Sequence, residues 1–138
     1  MHPSDLDRIE QALGIELPAS YRAVLEHYPF GPYSCGEDSL VDDAEDLIRA
    51  NRRPHDILRG EPPTRGYLWI GCDGGESSYY LDLQAASSPV YEYDLEMDEL
   101  TVLASDIDDF VSKCKQIDQE VAEDEQRAAQ KRWWPFWR

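Results

Sequence analysis

The stretch from Gly66 to Ala104 limits this chain more than any other. It holds four short runs rich in aromatic, branched and alternating residues: Tyr67–Ile70, Ser77–Leu83, Val90–Tyr93 and Leu100–Leu103. Only a few residues separate each run from the next. A parallel strand pair needs a crossover of a dozen residues or more, so neighbouring runs must pair antiparallel. Asp73-Gly74-Gly75 supplies the backbone freedom of a tight reversal, and the acidic turn Glu96–Asp98 precedes the fourth run. In the second run Tyr79, Leu81 and Leu83 alternate with Ser78, Tyr80 and Asp82, which assigns the two sets to opposite faces of a sheet.

Helical patterns flank this block. Ser4 reads as an N-cap with Asp7 three residues on; Leu6, Ile9 and Leu13 share a face, and Gly14 stops the helix. A second helix follows Leu17-Pro18, with Tyr21, Val24, Leu25 and Tyr28 as its apolar stripe. A short extended piece near Ser39–Val41 leads to a third helix. Asp42 is its expected cap and Leu47 and Ile48 its inner face, with Arg49, Arg52 and Arg53 near its C-terminus and Pro54 beyond. Residues 54–65 hold three prolines and a glycine and read as a loop. Ser105 with Asp108 opens a last helix, whose buried face is expected to be Ile107, Phe110, Val111, Cys114, Ile117 and Val121. The expectation is one α+β domain. It has two N-terminal helices, a third helix, a four- to six-stranded, mainly antiparallel sheet and a closing C-terminal helix. The domain should span residues 1–124, with residues 125–138 a basic, tryptophan-rich tail.

Charge narrows the function. The chain of 138 residues has a formal charge of −16, the wrong sign for a DNA or RNA binder. Residues 127–138 carry four cations and no acid, which leaves −20 on residues 1–126. The acids gather in three windows, at 37–46, 92–99 and 118–125. No stretch approaches the ~20 apolar residues of a membrane span, and the N-terminus has neither the basic region nor the apolar core of a secretory signal. Cys35, Cys72 and Cys114 are odd in number and share no metal-ligand spacing, as expected of reduced thiols in a cytoplasmic protein.

Motifs of catalysis are hard to find. No lysine follows Gly74-Gly75 as in a phosphate loop, and Gly-x-Ser-x-Gly, His-x-x-x-His and Cys-x-x-Cys do not occur. The expectation is no catalytic residue, no metal site and no cofactor. Binding needs less: a desolvated aromatic centre inside a charged rim. Tyr80 shares a face with Asp82, and Tyr91 and Tyr93 interleave with Glu92 and Asp94. With Asp42, Asp43, Glu76 and Glu96 they form the candidate partner-binding set. Each tyrosine has a competing role in sheet packing, Asp73 serves its turn, and Trp69 reads as core. The tail Trp133-Trp134-Pro135-Phe136-Trp137-Arg138 suits docking on an apolar groove, of its own domain or of a second copy in a homodimer, better than contact with a membrane.

Several of these pieces resemble one family. Leu17-Pro18-Ala19-Ser20-Tyr21, with Leu25 beyond, is similar to the second helix of the SUKH superfamily. Trp69-Ile70-Gly71-Cys72-Asp73-Gly74-Gly75, then Tyr80-Leu81-Asp82-Leu83 and Val90-Tyr91, resembles its central hairpin and next strand. Leu103-Ala104-Ser105 with Ile107 and Phe110 resembles the start of its closing helix. The resemblance covers about residues 4–122. Many members keep another glycine where Glu76 stands here. The resemblance implies an immunity protein that binds a cognate, basic polymorphic toxin, such as a nuclease, and blocks it, with no enzymatic activity. Two other readings stand beside it: a regulatory scaffold for housekeeping proteins, as fungal members imply, and a small hydrolase using Cys72 or an acid pair.

Overall fold

The structure is a computed structural model that describes residues 1–52 and 66–133. The expected proline-rich loop at 54–65 and the docking of the tail beyond Trp133 lie outside the described residues. Within them the order is α1 (Pro3–Leu13), α2 (Ala19–Glu26), α3 (Cys35–Ser39), α4 (Ala44–Arg52), β1 (Tyr67–Cys72), β2 (Ser77–Asp82), β3 (Val90–Asp94), β4 (Glu99–Ala104) and α5 (Ile107–Trp133). The four strands form one antiparallel sheet in sequence order, the meander that the short connections require. The molecule is the expected single α+β domain.

Local chemistry explains the helix ends, with small shifts from expectation. The α1 cap is His2, whose Nδ1 accepts from Ser4 N at 3.1 Å, with Pro3 as the first helical residue. Gly14 closes α1 at φ 65°. Asp43, not Asp42, caps α4: its carboxylate accepts from Asp46 N at 2.9 Å. Asp106, not Ser105, caps α5 by accepting from Asp109 N at 2.8 Å, and Asp109 reaches back to Ser105 N at 3.0 Å. The short α3 was not expected. Ser34 caps it through Glu37 N, and it stands just before the extended Leu40–Val41 piece.

One row of side chains holds the layers together. Leu68, Leu81, Val90 and Ala104 are successive cross-strand partners, and all are buried. Helices cover this face. Phe110 of α5 meets the Tyr79 ring edge-on at 5.2 Å, and Tyr21, Leu25, Leu6, Ile9 and Leu47 complete the core. The outer edge of β1 is closed. Val41 N donates to Ile70 O at 2.8 Å, and the Asn51 side chain clasps Trp69 by its N–H (2.8 Å) and its carbonyl (3.1 Å). Gly71 makes this closure fit, since a Cβ there would lie 2.1 Å from Ser39 O.

The last helix departs from expectation at its far end. Its buried face stops at Cys114; Ile117 is 47% and Val121 50% exposed. Asp118 still accepts from Cys35 N at 2.7 Å, but residues 119–131 are all exposed. The apolar period outruns the packing, because the body of the domain ends before the helix does.

Candidate functional site

Two turns meet at one end of the sheet. The β1–β2 turn is shaped by Asp73, whose Oδ1 accepts from Gly75 N (2.7 Å) and Ser77 N (3.1 Å). The β3–β4 turn is shaped by Asp94, whose Oδ1 accepts from Glu96 N (2.9 Å) and Met97 N (3.1 Å). Leu95 N donates to Glu76 O at 2.9 Å and joins them. The junction therefore brings Glu76, Asp94 and Glu96 together, beside Asp73, Asp98 and Glu99. Glu92 stands two ladder positions inward, half-buried on the face that carries Tyr79, and accepts from Ser77 Oγ at 2.7 Å.

The aromatic residues divide by burial. Trp69, Tyr80, Tyr91 and Val102 are cross-strand partners in one row, on the face opposite Leu81. Burial falls along the row toward β4: Trp69 and Tyr80 are buried, Tyr91 is half-buried and Val102 is 61% exposed. Tyr80 at 2% and Tyr93 at 6% exposure belong to the core, the latter with its hydroxyl on Asp98 Oδ1 at 2.5 Å. Tyr91 is the tyrosine of the set with a reachable ring, braced edge-on by Tyr67 at 5.5 Å.

The remaining candidates stand apart from this cluster. Asp82 lies at the other end of the sheet, where Oδ1 accepts from Gln84 N (2.9 Å) and Ala85 N (3.3 Å). Asp42 and Asp43 line a groove of about 450 Å³ with Tyr28, Phe30 and Asp46. Burial lifts the Asp42 carboxyl above the usual range, while the Met1 α-amine 3.6 Å away opposes that shift. Burial, then the carboxylates of Asp42, Glu37 and Asp38, push the Tyr28 phenol above its ordinary value; its hydroxyl donates to Leu40 O.

Sequence reasoning missed Val102 and the Tyr28–Phe30 wall of the groove. Leu100–Leu103 contains three apolar residues in four and gives no alternation to mark the outward one. The wall forms only because α3, too short to show a period, folds beneath it.

Burial raises the Cys114 thiol to about 11, so it stays protonated at neutral pH. Cys35, Cys72 and Cys114 are all free thiols. Among the described residues no three His, Cys, Asp or Glu side chains gather to hold a metal, and no helix is long and apolar enough to cross a membrane.

No curated protein and no solved structure that was compared matches the chain. A family model does match, over residues 1–113, and it spans every element from α1 into the first part of α5. It covers the Leu17-Pro18 helix entry, the glycine hairpin and the start of the closing helix on which the resemblance rested. The chain belongs to the SMI1 / KNR4 family (SUKH-1).

Proposed function

We propose that this protein is a non-catalytic immunity protein. It binds a basic, cognate toxin domain and covers that toxin's active site with the acidic end of its sheet. The observation that carries the reading is the junction of the two turns, which sets Glu76, Asp94 and Glu96 at one end of the sheet, with the open margin of the aromatic row, Tyr91 and Val102, three ladder positions along the same strands. A toxin that cleaves nucleic acid presents a cationic groove, and a cluster of carboxylates is a fit occupant for it. In this reading Glu76, Asp94 and Glu96 form the charged contact, and Tyr91 and Glu92 extend it along β3 on opposite faces of the sheet. Tyr80 and Tyr93 support Tyr91 from within, Asp82 holds its turn, and Asp42 with Asp43 adds a second acidic patch. Family membership supports the class of function, and the net charge supports a cationic partner. Binding takes place in the cytoplasm of the producing cell, before the toxin leaves it.

Co-expression with the toxin encoded beside it tests the reading. The expected result is restored growth and a stable complex that dissociates in high salt. Continued killing in the presence of folded, soluble immunity protein contradicts it.

A further inference from the structure

The two edges of the sheet are treated differently. The hydrogen-bond phase shows how. Asp82 N donates to Pro89 O, and Leu95 N donates to Glu76 O. These bonds fix the pairs that exchange main-chain bonds between β2 and β3, so the backbone of Tyr91 and Tyr93 turns toward β2. Val90, Glu92 and Asp94 then turn toward β4, where Ala104, Thr101 and Glu99 are their partners. Leu100 and Val102 are left with N–H and C=O groups directed away from the sheet. At the β1 edge the equivalent groups of Trp69 are taken by Asn51. At the β4 edge, among the described residues, the one closure is Lys113 Nζ on Leu103 O at 2.7 Å, beyond the irregularity in register opposite Val90 and Tyr91.

We propose that β4 is a docking edge, and that a cationic, extended segment of the partner protein adds to it as a fifth strand over residues 99–102. This rests on the proposed immunity function and names the part of the surface that does the recognising. Backbone groups of Leu100 and Val102 supply the bonds, and side chains supply the selectivity. On the aromatic face, an apolar residue of the incoming strand extends the row Trp69, Tyr80, Tyr91 and Val102, whose outer member is already 61% exposed. On the other side, Glu99 faces Asp94 across the ladder, with Glu96 and Asp98 in the adjoining turn. A lysine or arginine at alternate positions of the arriving strand meets these carboxylates. A second copy of this chain is a poor occupant, because it would bring a second body of the same strong negative charge. Lys113 and the irregular register at the far end limit the open edge to a short stretch, which guards against promiscuous pairing.

The test uses the full chain and two ligands: the toxin domain recovered above, and a short peptide of alternating lysine and valine. Hydrogen exchange at Leu100 and Val102 is expected to slow by about tenfold or more when either ligand binds. Val102→Pro removes an outward N–H and no bond to β3, and is expected to weaken both by about tenfold. Val102→Lys keeps the N–H, repels the cationic strand and gives the same direction should the proline variant misfold. Slowed exchange confined to the turns, or unchanged affinity in folded Val102 variants, overturns the proposal. So does peptide binding that survives N-methylation of its pairing edge, or concentration-dependent dimerisation through β4. If the toxin is neutralised as well by Val102→Pro, the edge proposal fails and the immunity reading stands. If the peptide docks on β4 but the toxin is not neutralised, the immunity reading fails alone.

Discussion

Single residues carry sharply different loads in this fold. Gly71 is fixed by contact with backbone: a Cβ there would collide with Ser39 O, and neither chain can yield without opening the β1 edge. Gly71→Ala is expected to destabilise the domain by about 1–3 kcal/mol in denaturant titrations, as overpacking does elsewhere. Phe110, buried and edge-on to the Tyr79 ring, is a core anchor; Phe110→Ala should cost about 3–5 kcal/mol in the same measurement. Tyr91 is the opposite case, with a half-buried ring on the same strand as Asp94 and next to the exposed Val102. Tyr91→Ala is expected to lower toxin affinity by about 2 kcal/mol, measured by calorimetry, and to change stability less than Phe110→Ala does. The thiols also separate. Cys35 is exposed and should react with a maleimide in the folded protein, whereas Cys114, buried and lifted to about 11, should react only on unfolding. The sequence marked Tyr91 and Trp69 by type, but it could not tell Tyr80 from Tyr91. Both sit in strands with apolar neighbours; only the third dimension shows that one is covered and the other lies nearer the open edge.

Elements with a strong period were legible, and those without one were not. The four strands stand where the aromatic runs put them, within one or two residues at their ends. The helix stripes of α1 and α2 also stand as read, since Leu6, Ile9, Tyr21 and Leu25 are buried. Helix α3 escaped notice because five residues hold little more than one turn, and its cap, Ser34, follows a loop of glycine and prolines. The caps of α4 and α5 each lie one residue later than expected, because two adjacent polar residues compete and only backbone geometry decides. The α5 cap carries a pH dependence. Asp109 is held below the usual carboxylate range first by the Ser105 N–H and then by Lys113. A carboxyl depressed in the folded state stabilises that state above its unfolded pKa and loses the effect as pH falls through the folded value. Stability measured by urea titration should therefore decline on acidification below the ordinary carboxylate range, and Asp109→Asn should flatten that decline. Asp106→Ala should cost about 1 kcal/mol at neutral pH.

The whole molecule is a small sheet whose two faces and two edges have separate tasks. One face is packed under helices. The other passes from a buried aromatic centre to an exposed β4 margin, and one end gathers carboxylates through paired turns. The Leu95–Glu76 bond ties those turns together and sets one of the three acidic windows at that end of the sheet. That tie joins residues 19 apart along the chain, and no local pattern announces it. Long-range attraction from such a cluster speeds encounter with a cationic partner and is screened by salt, whereas short-range packing is not. The most direct measurement of the central claim is therefore the association rate of the toxin complex across a salt series, for the native chain and for Glu76→Gln/Glu96→Gln. Both side chains are exposed, so stability should be unchanged. The account predicts an association rate that falls by about tenfold or more between low and high salt, with a lower rate and a shallower slope in the double variant. An association rate indifferent to salt and to both substitutions would contradict it.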